Sequence, residues 1–394
     1  MTDTADARPG AGASTGALRM LQLGVGTSSL DRFAIGPLLL MISADLGASL
    51  SEVAAAASAY FLAYGLLQPL WSILGDRIGL VRVMRIAMLV GGLSGLASAF
   101  APNVLVLALL RTVTGACMGG MSPSGLVYIG TVWPEGIRQR ALADIAVAAS
   151  SGLALATAGA GLLGDVAGWR VVLGATAAAA LLVALLLRRL PRPPRVRASP
   201  PLRAIGTVLR DRRAVALLVL AFVEGALMLG SLTYIAPAVE DLGFTTTIAG
   251  LAAAGFGVGV VLFSRLVRPL VGRLTTTGLA AIGGGFLVVG WAVPAAAVTL
   301  ATAVVGGLLL GGAWAFLHST LQNWATGVVP HERATAVALF ATSLFLGSSA
   351  GTAIAAPAAD AGAFDWLFRV TAVLSVLLAV AAPLAIARSR RRRD

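Results

Sequence analysis

Residues 274–316 read LTTTGLAAIGGGFLVVGWAVPAAAVTLATAVVGGLLLGGAWAF, without one charged side chain. A helix needs about 20 apolar residues to cross the hydrocarbon of a bilayer, so this run is long enough to cross twice. Uncharged runs at Ile86–Leu110, Val171–Leu187 and Val370–Ala387 repeat the pattern. Of the 394 residues, 58% are hydrophobic and 12% charged, and mean hydropathy is +0.90. Soluble domains hold about 45–50% apolar and about 25% charged residues, so the composition points to lipid as solvent.

Breaks in the apolar pattern place spans at 21–43, 54–74, 84–101, 104–126, 142–164 and 169–187, then at 214–238, 248–268, 277–294, 299–324, 334–356 and 366–387. The expected fold is an all-α membrane protein of twelve transmembrane helices. Residues 1–20 read as a polar N-terminal tail and 21–187 as a first six-helix bundle. An Arg- and Pro-rich linker at 188–213 leads to a second six-helix bundle at 214–387, and 388–394 form a basic tail.

Every basic residue is arginine. Without lysine there is no P-loop and no Schiff-base chemistry, and neither a cofactor nor an enzymatic reaction is expected. One cysteine, Cys117, and two histidines, His318 and His331, exclude an intramolecular disulfide and argue against a structural zinc site. The net charge of +12 could suggest a nucleic-acid partner, but its placement says otherwise. Apart from Arg170, Arg369 and two arginines inside spans, the arginines fall on one side of the layout. The positive-inside rule makes that side cytoplasmic, with both termini and the linker, in a multi-pass cell-membrane protein.

The halves repeat. Asp45-Leu46-Gly47 closes the first span and Asp241-Leu242-Gly243 the seventh; Arg77 and Arg273, and Pro134 and Pro330, stand at the same offset, with Trp169 and Trp366 one residue off it. Two pseudo-symmetric bundles that rock about a midplane site are an arrangement used by transporters.

The loop after the second span, Gly75-Asp76-Arg77-Ile78-Gly79-Leu80-Val81-Arg82, resembles the G-x-L-x-D-R-x-G-R-[KR] signature of the major facilitator superfamily. Ser72 stands for the first glycine, Leu80-Val81 for the basic pair, and the second half keeps Gly272-Arg273 without the acid. The resemblance implies twelve helices in two bundles, and a cytoplasmic gate of Asp76, Arg77 and Arg273 that holds the outward-facing state. Glu135 and Arg138, and Glu332 and Arg333, look like the family's charged clamps between helices. Arg111-x-x-x-Gly115-x-x-x-Gly119 resembles the fourth-helix signature of its proton-coupled members, in which the arginine works with a nearby acid.

Charges inside the membrane cost at least about 2.5–3.5 kcal/mol each unless paired or facing water. Asp31, Arg32, Arg111 and Glu224 are four such charges. Asp31, Arg111 and Glu224 are the expected proton-coupling residues, and they are expected to line one cavity. The residues leave open which arginine Asp31 meets. Arg32, the stripe Tyr60, Tyr64 and Gln68, and the stripe Trp314, His318 and Gln322 with Asn323 are the expected substrate contacts. The fifth span carries Ala156-Thr157-Ala158-Gly159-Ala160-Gly161 where antiporters of the family usually show a Gly-Pro pair. The expected function is proton-coupled efflux of a small amphipathic or drug-like compound by alternating access, resembling the twelve-span drug/proton antiporter branch. The alternative is proton-coupled uptake of a small organic anion or nutrient, and a membrane enzyme or assembly factor is the third class weighed. The expected partners are a small-molecule substrate, protons and lipid, with the proton gradient as energy source, and the expected state is a monomer.

Overall fold

The computed structural model describes residues 13–193 and 201–391, so the parts of the tails and linker expected at 1–12, 194–200 and 392–394 lie outside the described residues. Ten helices are long and apolar enough to cross a membrane, and Leu50–Leu66 with Gln68–Ile78, bent by 44°, forms one more. Glu135–Arg189, at 55 residues, is too long for one crossing, and Gly168, with φ 82° and ψ 163°, breaks it into two. The described residues therefore make twelve crossings.

Local signals set most boundaries, and two differ from the sequence reading. Ser14 caps the first helix by accepting from the Ala17 amide, so helix begins at Thr15, inside the expected tail. The linker holds a short helix, Pro201–Arg210, that buries Ala204 and Val208, one turn apart. Gly47 and Gly243 both take positive φ at the ends of the first and seventh spans, where side chains with a Cβ are strained. That requirement accounts for the glycine of the repeated Asp-Leu-Gly.

The repeat extends to packing. A Cβ on Gly115 would overlap the Tyr60 carbonyl across the fourth and second spans. A Cβ on Gly311 would do the same against Phe256–Val260, across the tenth and eighth. Lipid gives helices no hydrophobic reason to associate, so close backbone approach through small residues supplies the contact instead.

Several spans are interrupted near mid-membrane. The first passes through a 3₁₀ turn, Gly36–Leu38, and the fourth breaks between Met118 and Met121. The seventh and tenth each hold a π-helical turn, Ala226–Gly230 and Trp314–His318. Such wide turns are frequent at functional sites.

Between the halves, the hydrogen bonds lie on the side opposite the linker and near the midplane. Asp360 accepts from the Leu50 amide at 2.8 Å and the Ser51 amide at 3.4 Å, and Asp165 accepts from the Thr247 amide at 2.7 Å. Each carboxylate thus caps a helix N-terminus of the other half, where the helix dipole favours negative charge. Ser58 meets Ser349 at 2.9 Å, and Thr342 donates to the Gly65 carbonyl at 3.1 Å.

Within the second half, a Cβ on Gly347 would overlap the Phe222 carbonyl, backbone against backbone. Gly347→Ala is expected to cost about 3 kcal/mol, the upper end for overpacking, read as a lower melting temperature in detergent. A variant that melts with wild type would mean the seventh and eleventh spans do not pack this closely.

Candidate functional site

Asp31 sits where the first, fourth and sixth spans meet. Its Oδ1 accepts from Arg111 Nη1 at 3.0 Å and from Thr176 Oγ1 at 3.0 Å, while Arg111 Nη2 donates to the Asp31 carbonyl at 3.0 Å. Asp31 and Arg111 are both 0% exposed. The guanidinium lies 4.6 Å from the Tyr60 ring centroid, a contact that the close approach at Gly115 allows. Asp31 Oδ2, Arg111 Nε and the Tyr60 hydroxyl are buried without a protein partner. Arg111, not Arg32, is therefore the partner of Asp31. Thr176 was missed, because one hydroxyl in the apolar sixth span carries no pattern.

Arg32 points elsewhere, as adjacent residues on a helix diverge by about 100°. Its Cζ lies 4.7 Å from the ring centroid of Phe33, 4.8 Å from Tyr64 and 5.0 Å from Phe345, and Nη2 donates to Ser29 Oγ at 3.3 Å. It lines a narrow crevice between the halves, with Phe61 and Thr157 on one wall and Leu229, Thr233 and Ala253 on the other.

In the second half, Glu224 is fully buried and its Oε2 lies 3.3 Å from His318 Nδ1. The imidazole stacks on Trp314 at 3.7 Å between centroids and leans on Phe340 at 5.6 Å. The two π-turns adjoin this pair: one follows Glu224 by a residue and the other ends on His318.

Three expectations need correction. Asp31, Arg111 and Glu224 do not line one shared cavity; each is enclosed in its own half, because the faces that carry them turn toward neighbouring spans. Among the expected substrate contacts, Arg32 lines the crevice. Tyr60, Tyr64 and Gln68 are buried instead, the two rings stacked at 6.1 Å, with Tyr64 4.5 Å from Phe345 of the eleventh span. Trp314 and His318 pack around Glu224 instead, stacked at 3.7 Å, while Gln322 and Asn323, one turn nearer the linker end, are exposed. On the linker side, Arg138 donates to the Trp133 carbonyl at 3.1 Å and Arg333 to the Thr326 carbonyl at 2.6 Å. Asp76, Arg77, Glu135, Arg273 and Glu332 make no ion pair among the described residues. In this structure the halves are capped to each other on the far side and their charged loops are unpaired on the linker side.

Two repeated six-helix halves around a crevice, with ionisable side chains held inside the membrane, define an α-helical membrane carrier. The chain belongs to the Major Facilitator Superfamily, whose sequence profile matches residues 21–352. It is 26% identical over 357 residues to a chloramphenicol resistance protein of Streptomyces lividans, covering 86% of this chain and 88% of that one. A puromycin resistance protein of Streptomyces alboniger is 32% identical over 196 residues, half of this chain, and the match spans 39% of that relative's length. Among solved structures, a D-xylose-proton symporter superposes with a TM-score of 0.75 over 93% of this chain and 96% of that one, at 18% identity. The protein is a multi-pass membrane transporter rather than an enzyme.

Removing one partner of a buried ion pair strands the other charge and costs about 3–5 kcal/mol. Asp31→Asn and Arg111→Gln are each expected to lower the melting temperature sharply, and the double variant to recover much of the loss. Additive losses in that cycle would mean the pair is not coupled. On the far side, Asp165→Ala with Asp360→Ala is expected to loosen the closed face. With Phe61→Cys as reporter and the native Cys117 buried, a membrane-impermeant thiol reagent added from that side should react faster. An unchanged rate would count against the two caps as a gate.

Proposed function

We propose that the protein exports a small amphipathic or drug-like compound in exchange for protons, by alternating access, with the linker side facing the cytoplasm. The resistance relatives support export, and the arginine-rich linker side supports the orientation. The observation that carries proton coupling is the buried Asp31–Arg111–Thr176 cluster with one carboxylate oxygen left free. Ionised, Asp31 binds the fourth span through Arg111. A proton on that carboxylate removes its charge and weakens the pair, which frees the first span. Arg32, Phe33 and the turn at Gly36 follow in the same segment and wall the crevice, so a change at Asp31 reaches the cargo site within two turns of helix. The unpaired charged loops on the linker side, Asp76, Arg77 and Arg273 with Glu135–Arg138 and Glu332–Arg333, supply a latch for the opposite conformation. Glu224–His318 is a second place where a proton can reside.

The second reading is uptake of an organic anion together with a proton. Arg32 favours it: a guanidinium with no acidic partner among the described residues faces the crevice. Once Asp31 is protonated, two arginines stand near an anion, so proton and anion load together.

The test is accumulation in a drug-sensitive bacterial host that expresses the chain, with chloramphenicol, a neutral amphipathic drug, as probe. Export lowers accumulation, and a protonophore restores it. The Asp31→Asn/Arg111→Gln double variant, which removes both buried charges, is expected to insert normally and to lose the protonophore-sensitive component. A double variant that pumps like wild type would falsify the assignment of coupling to this cluster. Proton-driven accumulation of a carboxylate in proteoliposomes, with no drug export, would select the second reading.

A further inference from the structure

The crevice between the halves has one ionisable wall residue, Arg32, on a surface otherwise made of apolar side chains, glycine and two threonines. Across the membrane interior of the first half, the carboxylate of Asp31 is spent on Arg111 and Thr176, so Arg32 is a positive charge without an acidic partner among the described residues. Its Nε is buried without a partner, and of its five N–H donors one is used, weakly, on Ser29. Phe33, Tyr64 and Phe345 lie against the guanidinium at 4.7–5.0 Å. Rings hold a guanidinium by its π faces and leave its N–H edge for an acceptor in the plane. The acceptor that fits such an edge with two parallel bonds is a carboxylate.

We propose that Arg32 receives the anionic head group, a carboxylate, of an amphipathic cargo whose apolar body lies against Phe61, Leu229 and Ala253. Cargo of this class supplies the charge that the membrane interior lacks, and the same wall repels organic cations. The two walls come from different halves, so the head group is held by the first half and the body is shared with the second. Binding therefore spans the interface that must open and close. The inference deepens the carrier reading above and does not depend on the direction of transport.

The experiment is equilibrium binding to the purified full-length protein, read by thermal shift, with three probes that share one aromatic body: 4-phenylbutyrate, 4-phenylbutanamide and 4-phenylbutylamine. Wild type is expected to prefer the acid over the amide by about tenfold, and the amine is expected not to bind. Arg32→Gln should erase the preference for the acid. Arg32→Lys keeps the charge but not the fork, and is expected to bind the acid several-fold more weakly than wild type. The ligand-free melting temperature of each variant shows that it is folded, and the Lys variant carries the test should the Gln variant fail to fold. Amine binding equal to the acid, an acid preference that survives Arg32→Gln, or full affinity in Arg32→Lys each overturns the proposal. Because binding is measured without a gradient, acid selectivity with no proton-driven transport would retire the carrier mechanism and leave this site standing.

Discussion

An ionised aspartate in the hydrocarbon region must find a counter-charge within the protein, and the arrangement of the first half follows from that demand. Asp31 has Arg111 at 3.0 Å, and neither side chain is exposed. To deliver Arg111 there, the fourth span must lie close to the second, which Gly115 and Gly119 permit by leaving room for the carbonyls of Tyr60 and Tyr64. Tyr60 then closes over the guanidinium, and the sixth span contributes Thr176. Four helices are fixed around one charge pair. Such pairs add little net stability, so holding power alone does not account for the cluster.

The halves share packing but not chemistry. At the repeat offset, Tyr60 corresponds to Phe256 and Gly115 to Gly311, and both pairs pack alike. The charged positions do not correspond: Leu227 stands where the first half has Asp31, and Gly307 where it has Arg111. In return, the second half places Glu224 where the first has Ser28, and meets it with His318 from the tenth span. Two scaffolds of equal shape thus carry one tightly bonded ion pair and one looser acid–imidazole contact. Leu229, inside the π-turn that follows Glu224, reaches the crevice wall. Both buried acids are therefore joined to the crevice wall by a few residues of their own helix.

The sequence disclosed whatever depends on solvent and on local backbone. Runs without charge marked the spans, and the Asp-Leu-Gly repeats marked left-handed caps that need glycine. The resemblance at Arg111 to the fourth-helix signature also pointed to a nearby acid, while the residues left open which arginine Asp31 meets. Rotation about the helix axis was harder to read. Asp31 and Arg32 are neighbours in the chain, yet one faces helices and the other the crevice. The stripe of Trp314, His318 and Gln322 held its register, with the first two rings stacked, but its inner part meets Glu224 and only its linker end is exposed. Thr176, Phe345 and the Ser58–Ser349 contact left no trace, since each is an ordinary residue whose role depends on a partner more than a hundred positions away.

The charge of the cargo bears on how exchange and co-transport differ in a site of this kind. Moving an anion out while a proton enters carries net positive charge inward twice over, and the membrane potential contributes about 2.3 kcal/mol per charge per 100 mV to that cycle. Energetically, export of an acid is well driven. Electrostatics within the site act the other way, because neutralising Asp31 leaves Arg111 and Arg32 both uncompensated and so favours an anion beside them. Charge alone therefore loads proton and cargo together. For the two to exclude each other, the proton must act through shape: release of Arg111 has to shift the first span at its Gly36 turn and carry Arg32 away from the crevice. The 3₁₀ turn so near the charged pair gives that segment a place to bend, and whether it bends on protonation separates an exporter from an importer built on the same helices.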